Sequence, residues 1–343
     1  MKKILVTGGT GYIGSHTVVE LQKSGFDALI IDNLSNSSSV IVDQIARITG
    51  KKPMFEQIDM SDFSALDAFF RKHDDIAGVI HFAAYKAVGE SVEKPLKYYR
   101  NNLVSLINLL QCLSGLQHKN LVFSSSCTVY GQPDELPVSE EAPVKTAVSP
   151  YGNTKQISEE IINDTVKTAP PKAVSLRYFN PIGAHESGLI GELPIGVPDN
   201  LVPYITQTAI GKREKLTVFG NDYSTPDGTC IRDYIYVCDL AKAHVVALQR
   251  LLDNKNELPH EIFNLGTGRG YSVLEAVNTF IKVSGVNLNW GFSDRRPGDV
   301  EQVWANTALA NLKLGWKAEN GLEVMMATAW KWEQNLAAGI LNQ

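Results

Sequence analysis

The 343-residue chain is 44% hydrophobic and 20% charged, with a formal net charge of −5. That is the make-up of a folded protein, and an acidic balance argues against nucleic-acid and membrane-surface partners, which want a concentrated basic face. No apolar run reaches the roughly 20 residues that span a bilayer, and the run opening the chain is broken at once by Thr7-Gly8, so a cytoplasmic protein is expected. Cys112, Cys127, Cys230 and Cys238 show no Cys-x-x-Cys spacing and the histidines form no His-Glu-x-x-His pair, so no metal site is readable.

Along the first half, short apolar runs alternate with amphipathic stretches, the pattern of an α/β fold with a doubly wound parallel sheet. The runs predict strands over 3–7, 28–32, 54–59, 78–83, 120–125 and 173–178, and helices over 12–24, 64–72, 96–113 and 151–168. The stretch 96–113 is apolar around more than one stripe, which packing on its own sheet does not require; its second face is expected to form a homodimer contact. After Tyr178 the chain turns Gly- and Pro-rich from Asn180-Pro181 to Pro203. The boundary is therefore placed there: 1–180 as a Rossmann-type domain, 181–343 as a smaller α/β domain, some of whose segments return to the first. Helices are expected in the second over 202–210, 239–252, 273–283 and 322–335.

Directly after the first strand stands Thr7-Gly8-Gly9-Thr10-Gly11-Tyr12-Ile13-Gly14. A tight turn, a backbone that approaches a pyrophosphate, and a helix N-terminus whose free N–H groups face the anion together demand glycine. The second strand ends in Ile31-Asp32-Asn33, which places a carboxylate where a ribose hydroxyl can donate to it and where a 2′-phosphate would be repelled, so NAD is favoured over NADP. Asp59, at the end of the third strand, falls near the adenine.

The fifth strand runs into Ser124-Ser125-Ser126, and Tyr151-Gly152-Asn153-Thr154-Lys155 follows. Tyr-x-x-x-Lys puts two side chains one turn apart on the same helix face. Alone this spacing is common; beside a glycine-rich turn and a serine-rich strand end it points to proton transfer next to a dinucleotide. A free tyrosine titrates near pH ~10, and a charge about 4 Å away at an effective dielectric near 20 is worth roughly 4 kcal/mol, so Lys155 together with the cationic ring of a bound nicotinamide is expected to bring the Tyr151 phenol close to neutral pH.

Through Thr7–Gly14, His81-Phe82-Ala83-Ala84, Gly89-Glu90-Ser91, Tyr98-Tyr99-Arg100-Asn101-Asn102, Tyr151–Lys155, Arg177-Tyr178-Phe179-Asn180-Pro181 and Arg232-Asp233-Tyr234, the chain resembles the extended short-chain dehydrogenases/reductases, and among them the UDP-glucose 4-epimerase family. The resemblance implies Tyr151 as acid/base, Lys155 as ribose anchor and Ser126 as partner of the reacting hydroxyl. It implies an NAD held by Gly8, Gly11, Tyr12, Ile13, Gly14, Asp32, Asn33, Asp59, Met60, Phe82, Ala83, Lys86, Asn101, Ser124, Tyr151, Lys155 and Tyr178, with Lys86 suited to a phosphate. For a UDP-hexose it implies Ser126, Tyr151, Asn180, Asn200, Leu201, Phe219, Arg232, Arg296, Asp299 and Val303, the arginines being apt for a diphosphate.

Two departures bear on the reaction. Relatives that dehydrate a 4-keto sugar carry an Asp-Glu pair after the Ser/Thr, where this chain has Cys127-Thr128, which disfavours a 4,6-dehydratase. Four places after Gly298-Asp299 the best-known epimerase pattern has a tyrosine and this chain has Val303, which implies activity on N-acetylated UDP-hexoses as well. The competing readings are an epimerase of a different UDP-hexose, and an NAD-sensing regulatory protein that has lost catalysis, which the Tyr-x-x-x-Lys pair opposes.

Overall fold

The computed structural model describes residues 1–168, 171–296 and 299–342. Its centre is a seven-stranded parallel sheet. The first six strands are β1 (Lys3–Thr7), β2 (Asp27–Asp32), β3 (Met54–Gln57), β4 (Ile76–His81), β5 (Asn120–Ser124) and β6 (Lys172–Tyr178). The seventh, His260–Leu265, comes from the second half of the chain and pairs in parallel with β6. The order is His260–Leu265, β6, β5, β4, β1, β2, β3.

β1, β4 and β5 are almost wholly buried, as central strands covered on both faces must be. Because side chains alternate across the sheet, Ile4 and Val6 enter one core and Leu5 the other. Against the first face pack α1 (Tyr12–Lys23) and α2 (Val40–Thr49); against the second pack α3 (Phe63–Lys72), α5 (Pro95–Ser114) and α6 (Pro150–Thr168), supplying Leu66, Leu106, Leu109 and Ile162. A short α4 (Val88–Glu93) precedes α5; neither α2 nor α4 is among the helices read from the sequence. On α5, Leu96 and Ile107 stay exposed.

The later residues form a smaller body around Ile205, Val277, Phe280, Met325 and Met326. Its helices are α7 (Leu201–Ala209), α9 (Val273–Ser284) and α10 (Leu322–Ala337), with short strands between. Between them α8 (Val237–Leu252) leaves this body: Leu240, Ala243, Ala247 and Leu248 fill the first-face core of the main sheet, and the His260–Leu265 strand then joins its edge. No described helix is long and apolar enough to cross a membrane.

β3, β4 and β5 stop at Gln57, His81 and Ser124, one or two residues before the apolar pattern does. The chain leaves the sheet there to build a cavity: Phe82 N still donates to Thr7 O at 3.0 Å, but Ala83 N turns to the Thr7 hydroxyl. Below these strand ends lies a buried ion pair. Arg177 of β6 meets Glu159 of α6 at 2.5 Å, Ser125 Oγ donates to the same carboxylate, and Arg177 Nη1 donates to the Tyr130 hydroxyl at 2.9 Å. Glu159→Ala strands a buried guanidinium and is expected to lower unfolding free energy by about 3–5 kcal/mol. A loss under ~1 kcal/mol in urea titration would contradict the structural weight given to this pair.

Candidate active site

Strand order reverses between β1 and β4, because β2 and β3 lie to one side and β5 and β6 to the other. The loops leaving β1 and β4 therefore diverge and open a crevice at the carboxyl edge of the sheet, the place where parallel sheets bind ligands. Every residue expected at the dinucleotide lines this one cavity. They are Gly8, Gly11, Tyr12, Ile13 and Gly14 from the first loop; Asp32, Asn33, Asp59 and Met60 after β2 and β3; Phe82, Ala83 and Lys86 after β4; then Asn101, Ser124, Tyr151, Lys155 and Tyr178.

The glycines are required where they stand. Gly8 has φ +69°, and a Cβ on it would come 2.9 Å from Ala83 N, while a Cβ on Gly14 would collide with the Gly8 carbonyl oxygen. The loop thus brings bare backbone to the N-terminus of α1. At the end of β2, Asp32 is buried, accepting from Leu34 N at 2.9 Å and Thr10 N at 3.2 Å; its neighbour Asn33 donates to Asp59 at 3.3 Å. A side-chain-free turn, a helix N-terminus and a fixed carboxylate in one crevice fit a dinucleotide.

Opposite this loop, α6 starts at Pro150, with Gly152 N donating to the Ser149 hydroxyl at 3.1 Å, and presents Tyr151 and Lys155 on one face. Ser126 leaves β5 and opens a 3₁₀ turn over Cys127–Tyr130, its hydroxyl accepting from Thr128 N at 3.2 Å. Ser126, Tyr151 and Lys155 all reach the cavity.

Burial dominates their electrostatics. Lys155 Nζ donates to Ser124 O at 2.6 Å and lies 5.9 Å from the centre of the Tyr151 ring. Burial lowers the Lys155 amine to about 8, against the pull of Glu159. Burial also raises the Tyr151 phenol well above its ordinary value; Tyr178 adds to this, and the hydrogen bond with Ser126 opposes it.

Of the residues expected at the nucleotide sugar, Asn180 and Asn200 line the same cavity. Phe219, Arg232, Arg296, Asp299 and Val303 do not; they gather beside it. Arg296 donates to Asp299 at 2.8 Å and lies over the Phe219 ring at 5.7 Å, Arg232 is 3.9 Å from Asp299, and Val303 pairs with Arg232 across neighbouring strands. Gly298 lies outside the described residues. Val303 is buried with Phe179 and Val129, and Cys127 packs on this group. Since Phe179 and Cys127 also line the cavity, they join the two clusters. Leu201 opens α7 and packs on the core of the smaller body.

Reading the sequence did not find Glu192, which holds both Lys86 and Asn200, nor Asn102, which clamps Tyr85 by both backbone groups and bonds the Thr154 hydroxyl. Asn102 had a signal, since it adjoins Asn101 in a recognised motif. Glu192, on an irregular loop 106 positions from Lys86, had none.

Residues 5–329 match a family model described as GDP-mannose 4,6 dehydratase. The UDP-glucose 4-epimerase of Bacillus subtilis (strain 168) is 51% identical over 337 residues, 98% of each chain. The crystal structure of UDP-glucose-4-epimerase from Stenotrophomonas maltophila, with bound NAD and formylated UDP-arabinopyranose, superposes with TM-score 0.95 at 46% identity, covering 99% of this chain and 100% of that one. The UDP-Glc/GlcNAc 4-epimerase of Campylobacter jejuni superposes with TM-score 0.84 at 36% identity over 98% and 100% of the two chains. The chain belongs to the family that the model describes and, within it, to the UDP-glucose 4-epimerases.

Proposed function

We propose that this protein interconverts UDP-galactose and UDP-glucose by inverting sugar carbon 4, in galactose metabolism, with NAD held throughout the cycle. The observation that carries the reading is the convergence of Ser126, Tyr151 and Lys155 with the glycine loop on one cavity. The dinucleotide is held by the glycine loop, with Asp32 at its ribose, Lys86 near its phosphates and Lys155 at the second ribose. When bound, NAD supplies a cationic ring that takes hydride from carbon 4 and gives it back.

Tyr151 accepts the proton of the 4-hydroxyl as that carbon becomes a ketone, and Ser126 hydrogen-bonds the same oxygen. Arg232 and Arg296 anchor the nucleotide diphosphate, with Asn180 beside it and Asp299 accepting from ribose hydroxyls, which leaves the 4-keto sugar free to turn its other face. Tyr151 then returns the proton. Burial, which holds the phenol protonated, favours this return step; the ammonium of Lys155 favours the forward one. The dehydratase alternative lacks its acid and base: burial pushes the Cys127 thiol up to about 12, so it stays neutral.

We propose a cytoplasmic homodimer, supported by the exposed Leu96 and Ile107 on α5. The division into residues 1–180 for NAD and 181–343 for the UDP-sugar is likewise proposed, with α8 and the His260–Leu265 strand serving the first. The buried Val303, in place of a larger side chain, supports acceptance of N-acetylated UDP-hexoses, as does the Campylobacter jejuni relative's action on both.

Purified protein given UDP-galactose and no added nicotinamide is expected to form UDP-glucose, and Tyr151→Phe to cut the rate about 10²–10⁴-fold; full activity in that variant overturns the mechanism. Because Lys155 is protonated below and neutral above about pH 8, turnover should fall as pH rises through that value. A rate that climbs steadily to pH ~10, the unperturbed lysine value, would show that the ammonium is not needed. Val303→Tyr is expected to remove turnover of UDP-N-acetylglucosamine while sparing UDP-glucose, scored by product analysis on each substrate. Equal failure of wild type and variant on the N-acetyl substrate would defeat that assignment.

A further inference from the structure

Lys86 stands on the loop after β4 and Asn200 at the start of α7, in opposite halves of the chain, and both line the catalytic cavity. Lys86 Nζ donates to Glu192 Oε1 at 2.9 Å, and Asn200 Nδ2 donates to the same oxygen at 2.6 Å. Glu192 is not among the lining residues; its side chain is 11% exposed and that of Lys86 54%, so a carboxylate behind the wall holds a lysine at the rim.

The backbone that carries Glu192 is well anchored. Trp332 Nε1 of α10 donates to the Glu192 carbonyl at 2.9 Å, and the same indole packs so tightly on Gly191 that a Cβ there would stand 2.5 Å from the ring. On the other side the Lys86 ammonium lies 5.8 Å from the centre of the Tyr12 ring, whose hydroxyl is tied to Gly183 O at 2.6 Å.

We infer that Glu192 is a positioning residue that couples the seating of the dinucleotide to that of the nucleotide sugar, one oxygen orienting Lys86 toward the first and Asn200 toward the second. The inference rests on the epimerase reading above. An unpaired lysine spreads over many rotamers, whereas an ammonium with three N–H donors can keep Glu192 and still face a phosphate. A nucleotide that orders Asn200 fixes the shared oxygen, and through it Lys86; by linkage the dinucleotide does the same in return.

The test is the rate of NAD release from the holoenzyme, with and without UDP. In wild type UDP is expected to slow release. Glu192→Ala is expected to release NAD about three- to fivefold faster, the size of a partly exposed ion pair, and to lose the UDP effect. The near-isosteric Glu192→Gln keeps an acceptor for Asn200 but no charge for Lys86, and should release NAD as fast as Glu192→Ala. If Glu192 acts through Lys86, Glu192→Ala on a Lys86→Ala background accelerates release no further. Wild-type release indifferent to UDP, a UDP effect that survives in Glu192→Ala, or full additivity of the two substitutions overturns the coupling. Failure of the wild-type holoenzyme to epimerise UDP-galactose would sink the epimerase reading instead, so the two failures are distinct.

Discussion

Parallel pairing of β1 with both β2 and β4 is the constraint on which the rest depends. Once β1 sits between strands that continue the sheet in opposite directions, the loops at its carboxyl edge must part, and a crevice follows from topology alone. The glycine turn can then be stripped of side chains without loss to either core, because it lies beyond the last buried residue of β1. Ser126 and Tyr151 stand at a strand end and a helix start for the same reason.

The price of this arrangement is desolvation. Tyr151 and Lys155 are both buried, and burial moves each toward its neutral form, the phenol upward and the amine to about 8. Tethering Lys155 to the Ser124 carbonyl holds the amine in place without neutralising it. The buried Glu159–Arg177 pair beneath serves a related end: it ties α6, which carries the tyrosine and lysine, to β6, and through Ser125 to the strand end that carries Ser126. A rigid frame of this kind suits a reaction whose outcome turns on geometry at one carbon, where misplacement by about 1 Å is costly.

The smaller body contributes differently. The residues proposed for the nucleotide sugar come from widely separated segments, Asn180, Asn200, Arg232 and Arg296, and Asp299 draws the two arginines together. Cys127 and Phe179 carry the first cluster into the second, and Val303 closes the wall behind them. The identity of that wall residue, a valine, is written in one position of the sequence. Its burial against Phe179 and Val129 is a property of the assembled molecule.

The sequence by itself determined the features whose physics is local. Glycines at 8, 11 and 14 after an apolar strand, a carboxylate at the end of the next, and Tyr151 one turn from Lys155 each state a backbone or helix-face requirement within a few residues, so all of them were legible and all meet in one cavity. Tertiary structure alone decided what depends on distant segments. The return of α8 and the His260–Leu265 strand to the main sheet follows from which face their apolar residues could bury, a choice that periodicity does not encode. The electrostatic state of Tyr151 likewise rests on how much water the fold removes, and the Lys86–Glu192–Asn200 bridge on a loop placed by Trp332. Spacing fixes a helix face; only packing fixes solvent exposure and the partners that come from elsewhere in the chain.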